Sequence, residues 1–276
     1  MRLICYCAGG LGNRLRALSS CYSLSSITNR ELCIIWEPAL RCISRFKDLY
    51  SNDLNLMSKE ELLNLQNYNL YGLHSSIYNE LHLNGNPELI MMAQKQGFID
   101  LSDYQNQLLV SSDSTDDVVI ITNNFVAGAD LSVEKNFLSN VLTPNQEILG
   151  KIQQEQQYLN LNKTVVGVHA RGTDFNTPTS FYIDQMTQID TDKFFVCSDS
   201  LEVELEIKER FKEKIILRNS KEYVSKENPN ASWDDNVKTP LGSLKDAVVD
   251  MHLLAKTNFL VYNNLSTFSD IVRKMQ

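Results

Sequence analysis

Four short stretches gather the residue types that hold anions and polyhydroxyl ligands. The first, "CAGGLGNRLRAL" (Cys7–Leu18), crowds Gly9, Gly10 and Gly12 between an apolar run and a helix-like segment, with Asn13 and Arg14 directly behind. Three readings fit it. Amides at a helix N-terminus, flanked by Asn13 and Arg14, can face an anionic or polyhydroxyl ligand. A dinucleotide turn is the second: Gly-x-Gly-x-x-Gly started at Gly10 finds Gly12 but then Leu15, while Glu37 closes the next strand where a ribose-binding acid sits. A plain tight connection from strand to helix is the third. The phosphate loop ending in Gly-Lys-Ser/Thr is excluded, because no such triplet follows.

The other stretches lie in the second half. "VGVHARGTDF" (Val166–Phe175) places His169, Arg171 and Asp174 just past a buried strand, at the carboxyl end where parallel α/β folds bind ligands. Arg171 supplies a planar fork of donors suited to phosphate, and its charge does not titrate away. "FFVCSDS" (Phe194–Ser200) ends in Ser198 and Asp199. The Asp199 carboxylate can accept hydrogen bonds from a base or ribose, while Ser200 can cap the helix that follows. "NFLVYNNLSTFSDIV" (Asn258–Val272) runs from strand to turn to helix and gathers Ser266, Thr267 and Ser269 at the helix start, either a capped helix or a phosphate seat.

The elements that must position these residues follow from periodicity. Residues 2–7 read as a strand, Leu11, Leu15, Leu18 and Tyr22 recur at helical spacing, and "ELCIIWE" (Glu31–Glu37) is a second buried strand. Between 38 and 116 the pattern loosens; Ser58 with Glu61 predicts a capping box for a helix through Leu65, and "NPELIMMAQKQG" (Asn86–Gly97) a further helix. "DDVVIIT" (Asp116–Thr122) is a strand, and the Gln-rich segment between Thr143 and Asn162 reads as a helix linking two halves. Thereafter strands at 164–170, 193–199, 214–218 and 258–263 alternate with helices near 201–213, 243–256 and 266–275. Such alternation means parallel sheets with helices packed on them. The expected fold is α/β, with two Rossmann-like domains at 1–150 and 151–276. Residues 219–242 form a long polar loop.

At 276 residues and 43% hydrophobic composition the chain can build such cores, and a net charge of −8 argues against a broad nucleic-acid face. No apolar run reaches the roughly 18–20 residues of a membrane helix, and "MRLICYC" is too short for a signal-peptide core. Six cysteines without a CxxC pair read as reduced, buried small hydrophobes, which suits the cytoplasm.

Taken together, the four stretches resemble the α-1,6-fucosyltransferase superfamily, which includes nodulation fucosyltransferases and, more distantly, protein O-fucosyltransferases. "GGLGNRLRAL" is similar to the family's N-terminal glycine loop, "GVHARGTD" to its His-x-Arg-Arg-x-Asp motif, and "FFVCSDS" to its strand ending in Thr-Asp. "DAVVDMHLLAKTNFLVYNNLSTFSDIV" (Asp246–Val272) resembles its last helix-strand-helix almost throughout. The resemblance implies a GT-B-like pair of facing Rossmann-like domains and an inverting glycosyltransferase that takes a GDP-sugar, GDP-fucose foremost, with no cofactor or metal. His169 and Asp199 would contact guanine, Arg171 the β-phosphate, and Ser269 the phosphate alongside the amides near Ser266 and Thr267. Gly10, Gly12, Asn13 and Arg14 would line the donor cleft from the other, N-terminal domain, the expected acceptor side.

The acceptor would be a glycan: an oligosaccharide, glycolipid or glycoprotein. Arg171 would meet the leaving charge, and Asp174 would either act as general base or cap its loop and brace Arg171. The sequence departs from the family pattern at Gly172, where a second Arg is usual, at Phe175 and Thr179, where a Lys and a Glu occur, and at Asp270 and Ile271 in place of Ser-Gln. Two rivals remain: a catalytically inactive nucleotide-sugar or glycan-binding module, and an NAD(P)-dependent oxidoreductase.

Overall fold

The computed structural model describes residues 1–72, 81, 86–96, 116–124, 126, 128–172, 177–226 and 237–276. The chain divides into two compact units, Met1–Phe46 with Asn52–Thr143, and Lys47–Ser51 with Pro144–Gln276.

Unit 1 opens as the apolar pattern requires, with β1 (Arg2–Cys7), α1 (Leu11–Ile27) and β2 (Glu31–Ile35). The short α2 (Phe46–Leu49) spans the change of unit and is followed by β3 (Asn55–Leu56), α3 (Lys59–Leu63) and β4 (Tyr68–Gly72). Then come α4 (Pro87–Gln96), β5 (Asp117–Thr122) and α5 (Leu131–Asn136), which widens into a π-helical turn at Phe137–Val141. The sheet order is β3-β2-β1-β5-β4, and every pairing is parallel. β1 is central and buried on both faces, which is why its run is continuously apolar. Ile4 and Tyr6 pack with Cys33, Ile35, Val119 and Ile121 on one side of the sheet. The capping box is present: Ser58 Oγ accepts from Glu61 N–H, and Glu61 accepts from Ser58 N–H at 2.7 Å.

Unit 2 begins with α6 (Gln146–Leu159), then β6 (Val166–Ala170), α7 (Thr179–Thr187), β7 (Phe194–Ser198), α8 (Leu201–Phe211) and β8 (Ile215–Ile216). A small antiparallel pair, β9 (Ser225–Lys226) and β10 (Val237–Lys238), precedes α9 (Leu241–Leu254), β11 (Leu260–Tyr262) and α10 (Thr267–Met275). The main sheet, β11-β6-β7-β8, is wholly parallel. Val166, Val168, Phe194 and Val196 meet Tyr182 and Met186 of α7 and Ile207 of α8 in one core.

The Gln-rich segment is part of unit 2 rather than a link between halves. Asn145 caps α6 by accepting from Ile148 N–H at 3.1 Å, and Ile148, Ile152 and Leu159 are buried. Its start is tied to the pentapeptide contributed from the first half: Asn145 N–H donates to Leu49 O at 2.9 Å, and Asn145 Nδ2 to Asp48 O at 2.7 Å. The predicted strand at 214–218 shortens to Ile215–Ile216, because Lys212–Lys214 coil into a 3₁₀ turn before it. Most of the polar loop predicted at 219–242, including Trp233, lies outside the described residues.

Candidate functional site

The residues singled out in the sequence fall in both units. In unit 1 the glycine loop joins the end of β1 to α1, and Gly10 takes the N-cap position without a side chain to cap. Gly9 sits at φ +88°, in the region that disfavours side chains, and a Cβ there would lie 2.8 Å from Asn13 Cβ. Asn13 thus packs over Gly9, half-buried, and Gly12 is buried in the first turn of α1.

Arg14 turns inward. Its side chain donates from Nε to Gly9 O at 2.8 Å and from Nη1 to Glu37 O at 2.7 Å, and its guanidinium lies 5.1 Å from the centre of the Trp36 ring. At 2% exposure it ties the loop to the end of β2. Glu37 receives a 3.5 Å hydrogen bond from the Tyr6 hydroxyl.

In unit 2 three of the predicted stretches do converge. β6, β7 and β11 are adjacent and parallel, with His169 paired in register with both Tyr262 and Cys197, and Ala170 with Ser198. Their carboxyl ends therefore form one mouth, where an α/β sheet places ligands. His169 stacks on Phe268 with ring centres 4.3 Å apart, and its Nδ1 shares a 2.7 Å hydrogen bond with Ser269 Oγ. Burial, with the nearby Arg171 charge, pushes the imidazole pKa down to about 3, so it is neutral at physiological pH. Ser266 caps α10, its Oγ accepting from Ser269 N–H at 3.3 Å. Both serines are buried, and Thr267 beside them is half-buried.

Arg171 is half-buried, and its backbone N–H donates to the Tyr182 hydroxyl at 3.1 Å. Asp199 Oδ1 accepts from Gly172 N–H at 2.7 Å. A Cβ on Gly172 would come within 2.8 Å of Val203 Cγ2 and 2.9 Å of Ser200 Cβ, so close approach to α8 requires glycine here. Ser200 takes the N-cap position of α8 without a side-chain bond; the nearby hydroxyl at work is Ser198 Oγ, which accepts from Ser200 N–H at 3.1 Å. Asp174 and Phe175 lie outside the described residues. Among the described residues, no group of three or more His, Cys, Asp or Glu is arranged to hold a metal ion.

The mouth is braced by charges that sequence reasoning passed over. Both backbone groups of Ser198 are gripped by side chains: Glu204 Oε1 accepts its N–H at 2.8 Å, and Lys221 Nζ donates to its carbonyl at 2.6 Å. Lys221 pairs with Glu204 directly and lies 3.2 Å from Asp250. Arg218 pairs with Asp246 and Asp250 at 2.8 Å each, and the Tyr223 hydroxyl donates to Glu204 at 2.7 Å. Burial opposes charge on Lys221, but Asp250 and Glu204 outweigh it and hold the ammonium protonated. Burial also lifts the Glu204 carboxyl above its ordinary value against the pull of Lys221. Val224 N–H adds a 3.2 Å bond to Asp199 O, so the segment after β8 is pinned to the end of β7. The available signal was Asp246 and Asp250, four apart on one helix face and buried.

No protein-family profile matches the chain, and no curated protein sequence does. Solved structures do. NodZ α-1,6-fucosyltransferase co-crystallized with GDP superposes with a TM-score of 0.63 at 15% identity, covering 99% of this chain and 92% of that one. The same enzyme soaked with GDP-fucose also gives 0.63 at 15% identity, over 100% and 93%. Fucosyltransferase NodZ from Bradyrhizobium gives 0.62 at 15% identity, over 99% and 93%. An Arabidopsis thaliana FUT1 variant in complex with GDP gives 0.58 at 14% identity, over 99% of this chain and 68% of that one. With its two parallel-sheet units, the chain has the GT-B-like α/β fold of these fucosyltransferases.

Proposed function

We propose that the protein is a glycosyltransferase that takes a GDP-sugar, GDP-fucose by preference, and passes the sugar to a glycan with inversion and without a metal. The observation that carries this reading is the strand mouth of unit 2, which brings His169, Arg171, Asp199 and the start of α10 to adjacent strand ends in a fold shared with fucosyltransferases. Arg171 is assigned to the diphosphate, and Asp199, held beside Gly172, to the base or ribose. His169, neutral and fixed by Ser269, adds a hydrogen-bonding ring without charge. The six buried, unpaired cysteines support a reducing compartment such as the cytoplasm.

In the transfer, the bond between the sugar carbon and the diphosphate breaks as the acceptor oxygen attacks from the opposite face. Negative charge grows on the leaving diphosphate, and Arg171 with the amides at the N-terminus of α10 stands to meet it. Removing one such contact costs about 10²–10³ in rate. Asp174 is assigned the acceptor proton; its carboxylate is the charged group next along the chain after Arg171.

The test is calorimetric titration with GDP, with UDP and NAD as controls, on the native chain and on Arg171→Ala. Selective GDP binding that collapses in the variant supports the donor site; preference for NAD, or silence toward GDP, overturns it. A second reading, an inactive nucleotide-sugar or glycan-binding module, is favoured by Phe175 and Thr179, which stand where the family carries Lys and Glu. Release of GDP from GDP-fucose in the presence of any glycan acceptor removes that alternative.

A further inference from the structure

Unit 2 also contains a cavity of about 910 Å³ between α6, the segment after β8 and the first turns of α9. Among the described residues lining it are none of His169, Arg171, Asp199 or Ser269, so it is separate from the strand mouth. Among the described lining residues the charges balance, with Lys151, Arg218 and Lys221 set against Glu155, Glu222 and Asp246. The deeper cations are already committed: Arg218 lies 2.8 Å from both Asp246 and Asp250, and Lys221 pairs with Glu204. Lys151, nearer the surface, is 3.8 Å from Asp246. A lining whose described charges sum to zero offers little net attraction to a diphosphate or a nucleic acid.

Beside these charges, the exposed part of the described lining is neutral and polar. Gln154, Gln157 and Asn219 present exposed carboxamides, and Tyr158 on the same helix is 65% exposed. Gln154 and Tyr158 are four residues apart and share one face of α6. A carboxamide holds a donor and an acceptor side by side, which matches a hydroxyl able to do both. A tyrosine offers an apolar ring face with a polar tip, the complement of a sugar ring with its axial C–H face and its rim of hydroxyls. Apart from the Tyr158 ring, the described residues of the lining offer no apolar side chain to receive a lipid.

We infer that this cavity is a binding site for an uncharged oligosaccharide, with Tyr158 as the stacking platform and Gln154, Gln157 and Asn219 as hydroxyl partners. This deepens the proposed function by giving the acceptor glycan a holding site on unit 2, and it rests on that reading only for the glycan's role.

The experiment is saturation-transfer NMR on the full chain. The probes are uncharged trisaccharides of glucose, mannose, galactose and N-acetylglucosamine in both anomeric linkages. At least one should bind, and its affinity should fall about tenfold or more in Tyr158→Ala and in Gln154→Ala, two surface changes checked for folding by circular dichroism. GDP affinity should stay unchanged in both variants. Binding by none of the trisaccharides, or affinity unaltered in both variants, overturns the inference. If saccharide binding falls in the variants while GDP never binds, the donor reading fails and this site stands. If GDP binds and no trisaccharide does, the reverse holds.

Discussion

Replacing Lys221 with Met tests whether the strand mouth depends on its buried charges. The ammonium is almost wholly enclosed, and its loss would leave Glu204, among the described residues, with the Ser198 N–H and Tyr223 O–H as partners, whereas Asp250 keeps Arg218 at 2.8 Å. Breaking a buried pair from one side costs about 3–5 kcal/mol. Glu204 can escape that cost by taking a proton, which sets a ceiling that depends on pH. The unfolded chain holds its glutamates near pKa 4.3, and each pH unit above that makes uptake about 1.4 kcal/mol harder. At about pH 7.5 the ceiling is therefore roughly 4 kcal/mol, and at about pH 5.5 it drops to roughly 2 kcal/mol. The carbonyl of Ser198, freed of its 2.6 Å bond to Lys221, adds about 1 kcal/mol at either pH. Urea unfolding followed by circular dichroism, with hydrogen exchange of the peptide containing Phe194–Ser198 to isolate unit 2, should show the larger loss at the higher pH. The double variant Lys221→Met/Glu204→Gln should recover most of the difference, because no unpaired carboxylate is left. Equal losses at both pH values, or a double variant as unstable as the single one at about pH 7.5, would refute the reasoning.

The other perturbations probe the loop and the histidine. Arg14→Met removes two charge-assisted bonds to the Gly9 and Glu37 carbonyls, so unfolding should become easier by about 3 kcal/mol with GDP affinity little changed. A variant of native stability that no longer binds GDP would make Arg14 a ligand contact instead. Gly9→Ala forces a side chain into φ +88° against Asn13 and should destabilise by about 1–3 kcal/mol in the same assay; a neutral result would mean the loop relaxes freely. His169 binds its proton only near pH 3 in the folded chain but near 6.5 unfolded, so unfolding takes up a proton between those values and stability falls with acid by about 1.4 kcal/mol per pH unit. His252, lowered to about 4 by burial and Lys256, acts in the same direction. Measured from pH 6.5 down to 4, His169→Asn should flatten the slope by one proton's worth; an unchanged slope would remove His169 from the balance.

The buried centre of each sheet was legible because burial on both faces demands unbroken apolar runs. "RLICYC", "DVVIIT" and "FFVCS" could be little else. The edges were not. β3 is two exposed residues, and β4, "YNLYG", mixes polar and apolar side chains as an edge strand does. The adjacency of His169, Asp199 and Ser269 was readable from strand-helix alternation, since parallel strands deliver their carboxyl ends to one side. Side-chain direction was not readable: Arg14 follows a glycine loop as a ligand residue would, but its guanidinium bends back five residues to Gly9 O and across to Glu37 O. Nor could spacing show that Lys221 and Glu204, distant in sequence, close on Ser198 while Asp250 holds Lys221.

The pentapeptide Lys47–Ser51 gives the chain an order of manufacture. Leu49 and Tyr50 are buried within unit 2, yet the ribosome makes them long before the residues they meet, with Asp48 standing 97 positions ahead of Asn145. At about 5–20 residues per second, that piece waits roughly 5–20 s for its partner. Until then Leu49 and Tyr50 lack the later residues of unit 2, the unit to which they belong in the folded chain. The same threading frustrates dissection. A fragment starting at Pro144 would contain the entire strand mouth but lack the backbone carbonyls of Asp48 and Leu49 that anchor Asn145 at the head of α6. Moving the mouth of unit 2 onto another scaffold therefore means carrying those five residues with it, as a grafted loop or a separate peptide.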